Sequence, residues 1–288
     1  MNLKHASSYT LGVLQAGYSL IIFIDVLVNA VNFSLIKLGL AGSVGITLVL
    51  APLLYAVLLG VGYTLRGKRI LEDYKRNARD SLYLAWGYFG IALFTSIVIG
   101  VIILGFIVGA EGLNSLLRYE YPSTPIQAQT LTQTLALVAL SLLVVGPAEE
   151  TIFRGMVYGS LLDSFEWRNW RRLNIIQATA FGLAHLYYFY LLGPLGFVAL
   201  AEIIGMGYGL GWAYYKCGGS LVGPIVVHGF WDASSFLLLY PTTLPLGGLL
   251  KLVFFLLIVS SLIKIVLRNR HYRFSAQLGF PPSNAPQA

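Results

Sequence analysis

The chain has 288 residues, of which 57% are hydrophobic and only 11% charged, whereas a soluble domain carries roughly a quarter charged residues. That balance, with a mean hydropathy of +0.75, excludes an ordinary soluble fold and leaves room for about seven to nine apolar spans of roughly 20 residues each. The net charge of +7 reads as cationic loops facing anionic headgroups, so membrane lipid is the expected partner and nucleic acid is not.

In chain order, hydropathy predicts an all-α, polytopic transmembrane bundle of about eight helices. The spans fall at 10–35, 40–65, 81–109, 131–162, 174–192, 195–216, 220–240 and 245–267. The first apolar stretch begins near Tyr9 and runs past Val31, too long for a cleavable signal core. The fourth span exceeds one perpendicular crossing and is expected to tilt or to extend beyond the bilayer. Residues 1–267 read as one integral-membrane domain with a catalytic core at 131–240. Residues 268–288 read as a cytoplasmic tail, partly disordered in its Pro-rich end from Phe280. The single cysteine, Cys217, rules out an intrachain disulfide and a cysteine-based metal cage, and reads as packing.

The basic residues set a direction. Lys4, the run Arg66, Lys68, Arg69, Lys75, Arg76 and Arg79, then Arg168, Arg171, Arg172, Lys216, Lys264, Arg268, Arg270 and Arg273 fall on one side of an eight-span chain. Lys37, Arg118 and Lys251 fall on the other. Both termini are therefore expected in the cytoplasm of a multi-pass protein of the cell membrane.

Charges inside the spans are the informative anomaly. Asp25, Glu149, Glu150, Arg154, Glu202 and Asp232 lie in predicted spans, with His185 and His228. A charge at mid-bilayer costs roughly 2.5–3.5 kcal/mol on insertion scales, so such residues mark function before structure. At about 1.5 Å per residue, Glu149, His185, Glu202 and His228 lie roughly 12–21 Å from the cytoplasmic face, on four helices in one slab. That arrangement is expected of one pocket opening towards the cytoplasm.

Spacing assigns roles within the slab. Neighbours on an α-helix point about 100° apart, so Glu149 and Glu150 are expected not to face one spot. Glu150 is placed to pair with Arg154 at i,i+4, which leaves Glu149 as the general base. Phe181 shares a face with His185 one turn on. His228 and Asp232 are likewise one turn apart, so the carboxylate can orient the imidazole. Gly155, Gly205, Gly209 and Gly211 read as close helix packing. Glu202 is assigned a supporting role from its depth alone. The aromatic run Leu186 to Tyr190 reads as an interfacial belt, with the lining of an acyl groove as the alternative.

A carboxylate with two imidazoles in a dry cavity suits hydrolysis: the carboxylate takes a proton from water and an imidazole serves the developing oxyanion. Glu149, His185 and His228 could equally hold zinc. There is no H-E-x-x-H helix and no G-x-S-x-G elbow. A non-catalytic scaffold and a proton-coupled transporter are the competing classes, and the absence of an internal repeat counts against the transporter.

Three segments carry a family resemblance. Gly146-Pro147-Ala148-Glu149-Glu150-Thr151-Ile152-Phe153-Arg154-Gly155 resembles the E-E-x-x-x-R motif of the CPBP family, the type II CAAX prenyl endopeptidases and the bacteriocin-processing and immunity proteins. Phe181-Gly182-Leu183-Ala184-His185 is similar to its F-x-x-x-H motif, and His228-Gly229-Phe230-Trp231-Asp232 to its H-x-x-x-N/D motif. The resemblance spans about 131–240. It implies an intramembrane endopeptidase acting on membrane-associated, prenylated proteins or peptides, with bacteriocin immunity as the non-proteolytic variant. Glu149 and His185 would activate water, and His228 with residue 232 would support the oxyanion. The cofactor it implies is either zinc or none. Asp232 departs from the asparagine usual in the endopeptidases, and since an ionised aspartate cannot donate to an oxyanion, it must be protonated, orient His228 or bind metal.

Overall fold

The computed structural model describes residues 52–117 apart from scattered positions between 54 and 77, then 130–165, 169–238 and 241–277. Asp25, the predicted span 10–35, most of 40–65 and the tail from 278 lie outside the described residues. No strand occurs among those described. The helices are α1 (Arg69–Asp73), α2 (Ala78–Leu117), α3 (131–164), α4 (Trp170–Ala184), α5 (Tyr187–Leu192), α6 (Gly196–Lys216), α7 (Val222–Leu237) and α8 (Leu244–Gln277). Among the described residues, four segments are long and apolar enough to cross a membrane: Arg79–Ile107, Leu131–Asp163, Gly193–Lys216 and Leu244–Arg268.

The surface of the bundle is apolar, as lipid requires. Phe106 is 85% exposed and Leu143 76%, while Phe89, Phe153 and Phe181 are wholly buried. Lipid tails are as apolar as leucine, so close packing and polar contacts hold the helices together. α6 shows how. Gly205 and Gly209 press on α2, where an added Cβ would meet Ser96 Oγ at 2.2 Å and the Tyr88 carbonyl at 2.7 Å. Gly207 and Gly211 face α4, where a Cβ would lie 3.2 Å from Ala178 Cα and 2.0 Å from Asn174 Oδ1. One helix thus carries two G-x-x-x-G faces and joins two neighbours. Asn174 donates to the Tyr208 carbonyl at 2.9 Å, and Gln177 to the Gly207 carbonyl at 2.9 Å, which stitches α4 to α6.

α3 is one rod with two widened segments. Thr130 caps it: its hydroxyl accepts from Gln133 N at 3.2 Å, while the Gln133 side chain accepts from Thr130 N at 3.1 Å. π-helical turns then run over Ser141–Val145 and Thr151–Tyr158. Pro147 has no N–H to donate, and next to it Gly146 N donates to the Ser141 carbonyl five residues back. The short α-helical piece Gly146–Glu150, which carries both glutamates, lies between the two widened segments. Such insertions often mark functional positions.

Two predicted elements differ in detail. The span 174–192 is broken: α4 ends at Ala184, His185 leaves helical geometry (φ −104°, ψ 16°), and α5 is a separate short helix. Gly193, at φ 53°, and Pro194 then turn the chain into α6. Lys251, counted above on the outer side, lies on α8 within Leu244–Arg268 as the predicted span 245–267 places it, its Nζ 3.2 Å from the centre of the Trp231 ring. The loop after the second predicted span is also more ordered than its charges suggest. Asp73 is buried, accepts from Tyr214 Oη at 2.8 Å, and its carbonyl accepts from Leu221 N at 3.0 Å. Arg69 pairs with Asp163 at 3.0 Å.

Candidate active site

Three helices bring the motif residues together. α3 supplies Glu149, Glu150 and Arg154, the end of α4 supplies Phe181 and His185, and α7 supplies His228 and Asp232. α3 and α7 approach closely because Gly146 faces Gly229, where a Cβ on Gly146 would lie 3.0 Å from Gly229 Cα.

The histidine tautomers follow from their partners. His185 Nδ1 lies 2.8 Å from the Phe181 carbonyl, which can only accept, so Nδ1 carries a proton. His228 Nδ1 lies 2.7 Å from Glu150 Oε1 and donates to that carboxylate. Both rings therefore turn Nε2 towards Glu149. Glu149 Oε2 is 3.9 Å from His185 Nε2 and 3.8 Å from His228 Nε2. This oxygen is buried and has no hydrogen-bond partner among the described residues. Asp232 Oδ2 lies 3.4 Å from His228 Nε2.

The expectation that Glu149 and Glu150 cannot serve one spot is corrected. Both approach His228, one at each ring nitrogen, because the imidazole stands between them and spans the angle separating adjacent side chains. The expected Glu150–Arg154 pair is present at 2.8 Å, both side chains fully buried. It is an ion pair by distance; the guanidinium N–H groups are not aligned for a hydrogen bond with Glu150. Arg154 instead lies over the Phe181 ring, 4.5 Å from its centre. Phe181 is the common wall of the cluster, with ring centres 4.8 Å from His185, 5.8 Å from His228 and 5.0 Å from Phe153.

Glu202 is half-buried on α6, and its electrostatic neighbours are Lys251 and Asp232. Lys251 donates to Ser235 Oγ at 3.0 Å and approaches the Trp231 carbonyl at 3.4 Å. The cluster thus continues from His228 through Asp232 to Lys251, a cation that charge counting alone placed on the outer side.

Two tyrosines were missed altogether. Tyr55 donates to Glu149 Oε1 at 2.5 Å. Tyr74 hydrogen-bonds Thr151 Oγ1; burial holds its phenol above the usual range, so it stays protonated. A tyrosine in an apolar stretch carries no spacing signal, and only the charged face of α3 hinted that partners were needed.

Glu149, His185 and His228 have the donor chemistry zinc takes. Among the described residues, however, no three His, Cys, Asp or Glu side chains stand in a metal-holding arrangement.

Fold and site together define a helical membrane protein that buries a glutamate–histidine cluster at the meeting of three helices. Residues 131–234, about a third of the chain, match the family model described as Type II CAAX prenyl endopeptidase Rce1-like. The match covers the segment that carries all three motifs and supports assigning this domain to the CPBP family of intramembrane CAAX-type proteases. No curated protein and no solved structure matches it significantly.

Proposed function

We propose that the chain is an intramembrane endopeptidase that cleaves membrane-associated, prenylated CAAX-type proteins or peptides, using a water activated by Glu149 and His185. The observation that carries this reading is the position of Glu149 Oε2, 3.9 and 3.8 Å from the two imidazole Nε2 atoms. Polar atoms separated by more than 3.5 Å are suited to bridging by water.

In the proposed reaction, water held by Glu149 Oε2 and His185 Nε2 attacks the scissile carbonyl carbon. One water proton passes to Glu149 as the C–O bond forms, and the carbonyl electron pair moves onto oxygen. His228, in its protonated form, donates Nε2–H to that oxyanion. Glu150 steadies the ring through Nδ1. Before substrate enters, Asp232 Oδ2 faces the same Nε2–H at 3.4 Å and favours the protonated ring; the oxyanion then takes that hydrogen bond over. The tetrahedral intermediate collapses with cleavage of the C–N bond, and Glu149 returns its proton to the leaving amine. Burial strengthens each of these contacts.

The surrounding architecture is proposed with it. The cationic segment from Arg66 to Arg79 supports a site opening to the cytoplasm of a cell-membrane protein with both termini inside and about eight spans. Residues 1–267 would form one membrane domain around a core at 131–240, with 268–288 as the tail. Membrane lipid surrounds it and presents the lipidated substrate.

The test uses purified protein reconstituted in liposomes with farnesylated, geranylgeranylated and unmodified CAAX-type peptides. Cleavage by wild type, with loss in Glu149→Ala and His185→Ala, is expected. Cleavage that persists in both variants overturns the site, and no cleavage of any peptide returns the fold to a non-proteolytic role. Dialysis against EDTA leaves turnover intact if the side chains alone activate water. Loss restored by zinc would instead assign Glu149, His185 and His228 as metal ligands.

A further inference from the structure

The family match begins at residue 131, yet a partner of the candidate base comes from far upstream of it. Tyr55 is half-buried and packs on the core that contains Phe89, Ile152 and Phe153. Its hydroxyl donates to Glu149 Oε1; an ionised carboxylate only accepts, so the phenol supplies the proton of the bond.

The last torsion of a glutamate side chain is broad and roughly two-fold, so its two oxygens are interchangeable unless something distinguishes them. Here Oε1 is engaged by Tyr55 while Oε2 is left between the two Nε2 atoms. The same upstream segment grips the helix again two residues further on. Thr151 donates its hydroxyl proton to the Pro147 carbonyl at 2.5 Å, so Tyr74 donates to Thr151. Tyrosines 55 and 74 thus hold both sides of the Glu149–Glu150 pair.

We infer that Tyr55 is a positioning residue for Glu149: its hydroxyl locks one carboxylate oxygen so that the other alone faces His185 and His228. The inference rests on Glu149 being the base proposed above. It also means that the matched segment 131–234 does not contain the whole machinery, because an element before it sets the carboxylate.

The test compares full-length wild type, Tyr55→Phe, Glu149→Gln and the double variant in liposomes, with Tyr63→Phe as a control on an exposed tyrosine. With a farnesylated CAAX-type peptide, Tyr55→Phe is expected to lower kcat about 10- to 100-fold, the size of one hydrogen bond to a charged group, and to leave KM unchanged. In the Glu149→Gln background it should cost nothing further. Unchanged kcat in Tyr55→Phe, or an equal loss in both backgrounds, overturns the inference. Infrared difference spectra give a readout independent of turnover. Bands lost in Glu149→Gln belong to that carboxyl, and they should move in Tyr55→Phe but not in Tyr63→Phe. If wild type cleaves no peptide, the proposed activity fails while the band still decides the role of Tyr55; a band unmoved by Tyr55→Phe overturns it.

Discussion

Glu150 and His228 lie on different helices and are joined by a 2.7 Å hydrogen bond from His228 Nδ1 to Glu150 Oε1. The same oxygen lies 2.8 Å from Arg154 Nη1. Glu150 is therefore at once the counter-charge of a buried guanidinium and the orienter of an imidazole. Removing one partner of a buried pair costs about 3–5 kcal/mol, because the other charge is left uncompensated. Glu150→Ala should lower the unfolding Tm in detergent well below that of Glu149→Ala, which frees no buried guanidinium. A Glu150→Ala protein as stable as Glu149→Ala would contradict this assignment.

The distance between α3 and α7 is set by glycine. A Cβ on Gly146 would meet Gly229 Cα and N, each at 3.0 Å. Gly146→Val should force the helices apart, cost about 1–3 kcal/mol by overpacking, and weaken peptide cleavage by separating Glu150 from His228. Gly248 on α8 has open space around it, so Gly248→Ala should leave both stability and cleavage unchanged. Thermal unfolding and turnover of the two variants, measured together, check the contrast.

Lys251 is expected to stabilise the bundle through the Trp231 ring and through Glu202 and Asp232. A desolvated cation–π contact is worth about 2 kcal/mol, and Lys251→Met should lower stability by about that amount. If Glu202 is part of the same charge balance, the loss shrinks in a Glu202→Gln background. A double-mutant cycle on unfolding free energies measures the coupling, and simple additivity would show the two side chains to be independent.

Cys217 follows α6 and is 3% exposed. Burial pushes its thiol up to about 12. The reactive form is the thiolate, so the folded protein should label slowly with maleimide near pH 8 and quickly once unfolded. Because the pKa lies above the assay range, the labelling rate of folded protein should keep rising about tenfold per pH unit through pH 9, where an ordinary thiol begins to level off. Mass spectrometry of timed aliquots gives both rates; rapid native labelling at pH 8 would contradict the burial.

The sequence by itself determined the membrane class, because composition alone requires lipid as the solvent. It also marked which helices bury ionisable side chains, because a glutamate or histidine in an apolar span has a cost that only partners can offset. The Glu150–Arg154 pair and the joint faces of Phe181 with His185 and of His228 with Asp232 followed from helical period alone. Only the tertiary structure decided what lies across from each residue. Helical period says which way a side chain leaves its own helix and nothing about the angle of its neighbour. That is why Glu149 and Glu150 were separated on paper and meet at opposite nitrogens of His228. It is also why the sequence did not show that Lys251 lies on the Trp231 ring, and why Tyr55, one hydroxyl in an apolar stretch, gave no warning that it holds Glu149.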